Sequence, residues 1–322
     1  MKFKRFLLIF LCFSLIVCLC ACGTSSSVEN KKIAVIVKAV DSDFWHNVED
    51  GVNSAAVEYN VSVTFKGPLN EEDYATQNDM IYGAIRDGVD AIVLSAISYT
   101  ENSDAVNEAV KNGIKVVTVD SGVDSGNVSL FIGTDNFEAG RQAAKAALDG
   151  FSGEKIVTVG LLNFAAGTDN GIQREAGFRE YASSVPGVKI LDTVTADSNL
   201  TSATQAAVSL LTANPGIDVI VGFNEWMTLG VGYAVKQLGL SDKVRAVGFD
   251  TNTVSVGMIE TGEMDALIVQ NPFAMGYLSV KYAAALIRGE MPDGPILYTD
   301  VFAVTRDNLF DSDTQKLVFG FK

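Results

Sequence analysis

From Ile33 onward, short runs of β-branched and apolar residues alternate with longer segments whose apolar positions recur at three and four residues. The alternation persists for about 240 residues, the signature of repeated βαβ units. It predicts strands at Ile33–Lys38, Val61–Phe65, Ala91–Ser95, Lys115–Val119, Leu130–Gly133, Ile156–Leu161, Val188–Val194, Val219–Phe223, Val244–Phe249 and Ala266–Val269. Several are apolar throughout, as parallel strands covered on both faces require. Phe44–Tyr59, Tyr74–Ile85, Phe137–Leu148 and Met275–Ile287 carry the helical period and predict the crossover helices. One open sheet does not comfortably hold this many strands. The expected class is therefore α/β, with two doubly wound, Rossmann-like parallel sheets of similar size. The break is expected near Gly133-Thr134-Asp135, and the absence of a long linker points to several short crossings acting as a hinge.

Ahead of this body the pattern changes. Lys2, Lys4 and Arg5 precede an apolar stretch from Phe6 to Leu19, followed by Leu19-Cys20-Ala21-Cys22. A positive start, a short apolar run and a small residue before a cysteine make a secretory signal. The motif resembles a bacterial lipobox, with residues 1–21 as the signal peptide and Cys22 as the acylated first residue of the mature chain. An uncleaved membrane anchor fits less well, because the run is short and lacks a stop-transfer flank. Residues 22–31, rich in Ser and other small polar side chains, read as a flexible tether.

All 4 cysteines, Cys12, Cys18, Cys20 and Cys22, fall in this leader. The rest of the chain thus has no thiol for a disulfide, a metal or a nucleophile. Removing residues 1–21 takes away three positive charges and no acids, moving the formal charge from −15 to −18. So acidic a chain is a poor match for nucleic acid.

In open α/β sheets, ligands bind beyond the carboxyl ends of the strands. There the sequence places Lys38, Asp41, Ser42 and Asp43 with the aromatics Phe44 and Trp45, then Asp120-Ser121, Asn224-Glu225, Asp250 and Gln270-Asn271. One carboxylate can accept from two vicinal hydroxyls, an amide both donates and accepts, and an aromatic face covers the apolar side of a sugar ring. The set suits a neutral polyhydroxylated ligand. Each member also has a plainer reading. Asp120, Asn224 and Asp250 could cap helices, Phe44 and Trp45 could be core residues of the first helix, and Gln270 could simply end a strand. Joint placement is what favours a binding site.

These residues match a family in order and spacing. The layout resembles the bacterial extracytoplasmic sugar-binding proteins of the ribose and galactose type, the type I periplasmic binding proteins that deliver ligand to ABC importers. The resemblance runs from Lys31 to Asn308. It rests on Ser42-Asp43-Phe44-Trp45, Val119-Asp120-Ser121-Gly122, Gly133-Thr134-Asp135-Asn136, Gln173-Arg174-Glu175-Ala176-Gly177-Phe178, Phe223-Asn224-Glu225, Val247-Gly248-Phe249-Asp250 and Val269-Gln270-Asn271-Pro272. It implies sugar contacts at Phe44, Trp45, Asp120, Asn224, Asp250 and Gln270, with Lys38 and Ser42 facing the cleft. It also implies hinge crossings near Gly133-Thr134, Gln270-Asn271 and Asp300. One domain would hold residues 32–133 with 271–299, the other 134–270 with 300–322.

The chain departs from the ribose-binding pattern. Ser121 stands where an arginine usually follows the cleft aspartate, and Ile172 at another arginine position, which removes two strong donors. Lys38 adds a cation, either for a different polyol or for internal pairing with Asp41 or Asp43. Arg174 is expected to position the cleft wall, against the plainer reading of a surface ion pair. A hexose, another pentose or an inositol-like polyol is then as good a ligand as ribose.

An enzyme is the first rival, and it has little support. His46 is the only histidine, and the chain has no GxSxG, HExxH or Walker sequence. No calcium-loop pattern surrounds Asp120 to Gly126, so neither metal nor cofactor is expected. The ligand-sensing core of the lactose-repressor family shares the fold by resemblance but would bring a helix-turn-helix and a basic face. The expected partners are a monosaccharide or polyol and an ABC permease, with the protein a monomer held to the cell membrane by lipid at Cys22. The same fold presenting a ligand to a membrane sensor kinase or chemoreceptor is the alternative.

Overall fold

Apolar β-branched runs become the central strands, which are buried on both faces, while the strands at the sheet edges are partly exposed. The computed structural model describes residues 30–165 and 167–318. The leader and Cys22 lie outside the described residues, and Lys31–Lys322 form one compact unit. The first sheet contains β1 (Lys32–Ile36), β2 (Ser62–Lys66), β3 (Ala91–Leu94), β4 (Lys115–Val119), β5 (Leu130–Gly133) and β12 (Ile296–Tyr298), in the order β12-β5-β4-β3-β1-β2. The second contains β6 (Val157–Phe164), β7 (Val188–Ile190), β8 (Val194–Ala196), β9 (Val219–Gly222), β10 (Arg245–Phe249), β11 (Ala266–Val269) and β13 (Phe302–Thr305), in the order β13-β11-β10-β9-β6-β7. All pairings in the first sheet are parallel, and in the second only β13 runs antiparallel, against β11. Both sheets repeat one winding: the chain next after the first strand pairs on one side of it, as β2 or as β7 and β8, and the later strands then add in order on the other side. Among the described residues the chain passes between the sheets three times, after β5, after β11 and after β12.

The crossover helices are α1 (Asp43–Tyr59), α2 (Tyr74–Arg86), α3 (Ser103–Lys111), α4 (Asn136–Leu148), α5 (Asp169–Ser183), α6 (Leu200–Ala213), α7 (Glu225–Leu238), α8 (Thr253–Thr261) and α9 (Pro272–Ile287), with α10 (Ser312–Val318) at the end. α9 returns across the hinge to pack on α1 and the first sheet, whereas α4 packs on α5 and the second.

Two expectations change. The strand expected at Val188–Val194 is two strands, both parallel to β6. Between them the Thr193 hydroxyl donates to Glu175 Oε1 at 2.6 Å and accepts from Arg179 Nη2 at 2.8 Å, which turns the chain toward α5. In addition, β6 runs to Phe164, three residues past the expected Leu161, because β8 extends its ladder.

Glycine sets the helix spacing in each lobe. A Cβ on Gly51 of α1 would lie 2.1 Å from the Phe273 carbonyl oxygen, and one on Gly276 of α9 would lie 2.0 Å from that of Val48. In the second lobe, Gly140 of α4 meets the Arg174 carbonyl at 2.0 Å and Gly177 of α5 meets that of Phe137 at 1.9 Å. These backbone contacts fix the helix turns that carry Phe44, Trp45 and Arg174. Gly140→Ala gains about 1 kcal/mol of helix propensity but overpacks rigid backbone, at a cost of about 1–3 kcal/mol. With the obstacle a carbonyl oxygen, the upper half of that range applies. Calorimetry should show a melting temperature lower by several degrees, and an unchanged or higher one would mean the helices separate freely.

Candidate functional site

β1, β4, β6, β9, β10 and β11 all end at one narrow cavity between the lobes, lined by Lys38, Ser42, Phe44, Trp45, Asp120, Arg174, Asn224, Asp250 and Gln270, together with Glu71, Phe164, Asn170, Glu225 and Trp226. Nine of the ten side chains singled out in the sequence meet here. Ser121 does not line the cavity; it is fully buried and its hydroxyl has no hydrogen-bond partner.

Asp120 and Asp250 occupy equivalent places, one in each lobe. Both follow a buried strand in the left-handed region, with φ +61° and +66°, which Asp tolerates better than most residues. Each donates its backbone N–H across the sheet at 3.0 Å, to the carbonyl of Ile132 or Ile268. Neither caps a helix.

Their surroundings differ. Asp120 Oδ2 lies 3.1 Å from Lys38 Nζ and 3.0 Å from Ser95 Oγ, while Asn170 Nδ2 donates to both of its oxygens. Lys38 is therefore not paired with Asp41 or Asp43; it donates to Asn170 Oδ1 at 3.0 Å and lies against Asp120. Arg174 is no surface ion pair either. It is buried, donates Nε to Asn136 Oδ1 and Nη1 to the Phe223 carbonyl at 2.8 Å each, stacks 4.6 Å over the Phe249 ring and reaches within 3.9 Å of Asp120. Its Nη2 is buried without a hydrogen-bond partner. Lys38 and Arg174 thus bring two cations to a cleft whose usual arginine positions hold Ser121 and Ile172, the latter half exposed.

Asp250 accepts from Gln270 Nε2 at 2.6 Å, and Gln270 Oε1 accepts from Thr134 Oγ1 at 2.9 Å, so this amide joins two of the crossings to the site. Burial pushes the Asp250 carboxyl up to about 6; Arg174 and Gln270 oppose the rise, and Asp120 and Glu71 add to it. Burial likewise pushes Glu225 up to about 7, with Asn252 pulling it down and Asp250 adding to the rise. A carboxyl whose pKa is higher folded than unfolded holds its proton preferentially in the folded state. Ionising these two groups therefore costs folded-state stability, a loss that grows as pH rises from the ordinary carboxylate range through these values.

Asn224 has two roles. Its Oδ1 caps α7 by accepting from the Met227 N–H at 2.9 Å, and its Nδ2 donates to Ser198 Oγ at 3.2 Å. Ser42 caps α1 by accepting from the Trp45 N–H, and Phe44 and Trp45 meet edge to face at 4.9 Å. Trp45 Nε1 donates to Glu71 Oε1 at 2.9 Å. Direct bonds join the lobes around the cavity: Lys38 to Asn170, the Phe44 N–H to Glu225 Oε2 at 3.3 Å, and the Ser198 N–H to Glu72 Oε1 at 2.7 Å. This is a closed arrangement.

The lining residues that sequence reading missed had signals. Glu71 follows the second strand, a strand end passed over. Glu225 stands at a strand end beside Asn224 in the sequence reading and is absent only from the expected ligand contacts. Phe164 is the true last residue of β6 and Asn170 follows it, three residues or more past the expected strand end.

Asp120→Ala would leave the Lys38 ammonium buried with Asn170 as its remaining partner, at a cost of about 3–5 kcal/mol for an uncompensated buried charge. Urea unfolding should show that loss, and Lys38→Met combined with Asp120→Asn should recover most of it. A single variant within 1 kcal/mol of the parent, on the order of a surface pair, would mean that water reaches Lys38.

Comparison with known proteins agrees with this geometry. The family described as "Periplasmic binding protein domain" matches residues 33–291. The chain is 30% identical to a carbohydrate transporter solute binding protein from Agrobacterium radiobacter, solved in complex with D-arabinose, over 90% of this chain and 99% of that one with a TM-score of 0.87. An ABC transporter solute binding protein from Agrobacterium vitis with bound D-fucose is also 30% identical, over 89% and 99% of the two chains with a TM-score of 0.85. The D-allose-binding periplasmic protein of Escherichia coli (strain K12) is 28% identical over 264 residues, 80% of this chain and 85% of that protein. With two parallel-sheet lobes closed over a polar cavity at their strand ends, the chain belongs to the periplasmic binding protein family, the substrate-binding proteins of ABC transporters and not enzymes.

Proposed function

We propose that the protein captures a monosaccharide or polyol in the interdomain cavity and presents it to an ABC permease. One observation carries this reading: a buried guanidinium, Arg174, lines the cavity with no hydrogen-bond partner at Nη2, and the Asp250 carboxylate, which accepts from Gln270, lines the same cavity. A donor without an acceptor, sharing a cavity with an acceptor without a full set of donors, suits a group that is both, such as a hydroxyl. Phe44 and Trp45 supply an apolar wall for a ring face.

Capture would work by hinge closure. Residues 32–133 with 271–299 form one domain and 134–270 with 300–322 the other, joined through the three crossings. In the open form Lys38, the Phe44 N–H and Glu72 are separated from Asn170, Glu225 and Ser198. A ligand touching both domains binds the closed state more tightly, and that difference in affinity shifts the population. The Gln270 bridge from Asp250 to Thr134 connects the ligand site to the hinge itself. The protein acts as a monomer, tethered outside the cytoplasm by lipid on Cys22 after loss of residues 1–21. Among the described residues no helix is long and apolar enough to cross a membrane.

Thermal unfolding against pentoses, hexoses and polyols tests the ligand class. At a hundred times its dissociation constant a ligand should add about 2.7 kcal/mol, or several degrees. Asp250→Asn, which keeps the left-handed backbone comfortable, should weaken binding about tenfold or more; silence across the panel would reject the sugar reading. For the anchor, Cys22→Ser should move the protein from the membrane fraction of expressing cells to the soluble fraction. Retention of that variant in the membrane would mean another attachment.

A further inference from the structure

The cavity holds more negative charge than a neutral sugar requires. It is lined by four carboxylates, Glu71, Asp120, Glu225 and Asp250, and two cations, Lys38 and Arg174. Both cations gather at Asp120, at 3.1 Å and 3.9 Å. Among the described residues, no lysine, arginine or histidine nitrogen lies within 4.0 Å of the Glu71, Glu225 or Asp250 carboxylates. Their hydrogen bonds come from neutral donors: Trp45 Nε1 to Glu71, Asn252 Nδ2 and the Phe44 N–H to Glu225, and Gln270 Nε2 to Asp250.

Glu225 and Asp250 are buried, and a buried carboxylate without a counter-charge is costly. A metal ion would offset it, but no group of His, Cys, Asp and Glu among the described residues is close enough to hold one. The lining itself points to another solution. Trp45, whose Nε1 bonds Glu71, and Trp226, which follows Glu225 in the chain, also line the cavity, and aromatic rings among carboxylates favour an organic cation. Independently, the unpartnered Nη2 of buried Arg174 calls for a neutral acceptor on the same ligand. The cavity is thus polarised, with donors around Asp120 and uncompensated acceptors around Glu225.

We propose that the ligand is a polyhydroxylated ring or chain bearing a protonated amine, its hydroxyls toward Arg174 and Lys38 and its ammonium toward Glu225, Glu71 and Asp250. The inference rests on the sugar-binding reading and narrows it to amino sugars and amino polyols. An ammonium among these carboxylates offsets the buried charge, which a hydroxyl cannot do. The charged groups lining the cavity are the six named above, and burial with repulsion from Asp250 raises Glu225 into the neutral range. For alkyl-type amines such as the 1-amino-1-deoxyhexitols, which stay protonated there, the preference should therefore strengthen as pH rises from about 6 to about 8 while Glu225 ionises; the 2-amino sugars lose their own proton within that range and are compared at about pH 7.

Titration calorimetry on protein purified from cells expressing the full chain tests this with matched pairs. D-glucosamine and D-galactosamine are compared with glucose and galactose, and 1-amino-1-deoxyhexitols with the parent hexitols; N-acetylated forms serve as charge-free controls. At about pH 7 for the amino sugars and about pH 8 for the aminohexitols, at least one amine should bind about tenfold more tightly than its hydroxyl partner, as charge-assisted over neutral hydrogen bonding predicts. N-acetylation should abolish that preference. Glu225→Gln, an isostere that removes a buried charge, should collapse the ratio toward one and flatten its pH dependence; Glu71→Gln serves if that variant fails to fold. Hydroxyl partners binding equally well or better at every pH would overturn the amine assignment and leave the sugar reading standing. Binding by neither class would overturn both.

Discussion

The buried carboxylate of Asp120 is the constraint around which the closed molecule is arranged. It sits at the end of β4 with left-handed backbone, receives Ser95 from its own lobe and Asn170 from the other, and has Lys38 and Arg174 on either side. An ion of this kind cannot be left alone in the interior. Removing a charge from water costs several kcal/mol, roughly, and is repaid only by close partners and satisfied lone pairs. Because those partners belong to different lobes, satisfying Asp120 and closing the cleft are the same event.

Asp250 occupies the matching position in a matching sheet, yet the chemistry differs. Its hydrogen bond comes from a neutral amide, and its carboxyl is pushed up to about 6, chiefly by burial. The two lobes therefore share a winding, an αL aspartate and a pair of helix-contact glycines while presenting opposite demands to a ligand. One aspartate arrives ion-paired, the other feels Arg174 only from beyond ion-pair distance, and Glu225 has no cation within 4.0 Å among the described residues. Duplicated architecture places the groups symmetrically, and the side chains of α1, α5 and the loop after β2 make the site asymmetric.

Hinge and site are also coupled by a short path. Thr134 at the first crossing, Gln270 at the second and Asp250 in the cavity form one chain of hydrogen bonds. A ligand that rearranges Asp250 acts directly on the segments that must rotate. Asn224 does similar duty at the other wall, where one amide caps α7 and holds Ser198, whose N–H reaches Glu72 across the cleft.

By itself the sequence determined the alternation of strands and helices, the doubling of the sheets and the strand ends where polar groups collect. Those features follow from local periodicity and from the rule that a parallel sheet buries both faces. Joint placement at strand ends singled out eight of the nominated residues that meet in the cavity, because strand ends converge in any such sheet, and the resemblance added Arg174. What tertiary structure decided was pairing. Lys38 chose Asn170, 132 residues away, and Asp120 over its neighbours Asp41 and Asp43. Arg174 turned inward because Gly140 brings α4 against the turn of α5 that carries it. Ser121 stayed behind the wall, and Glu71 and Glu225 entered the site from a loop and a helix start. No periodicity encodes such choices, since the energy of a buried charge depends on which distant groups the closed lobes bring within a few ångströms.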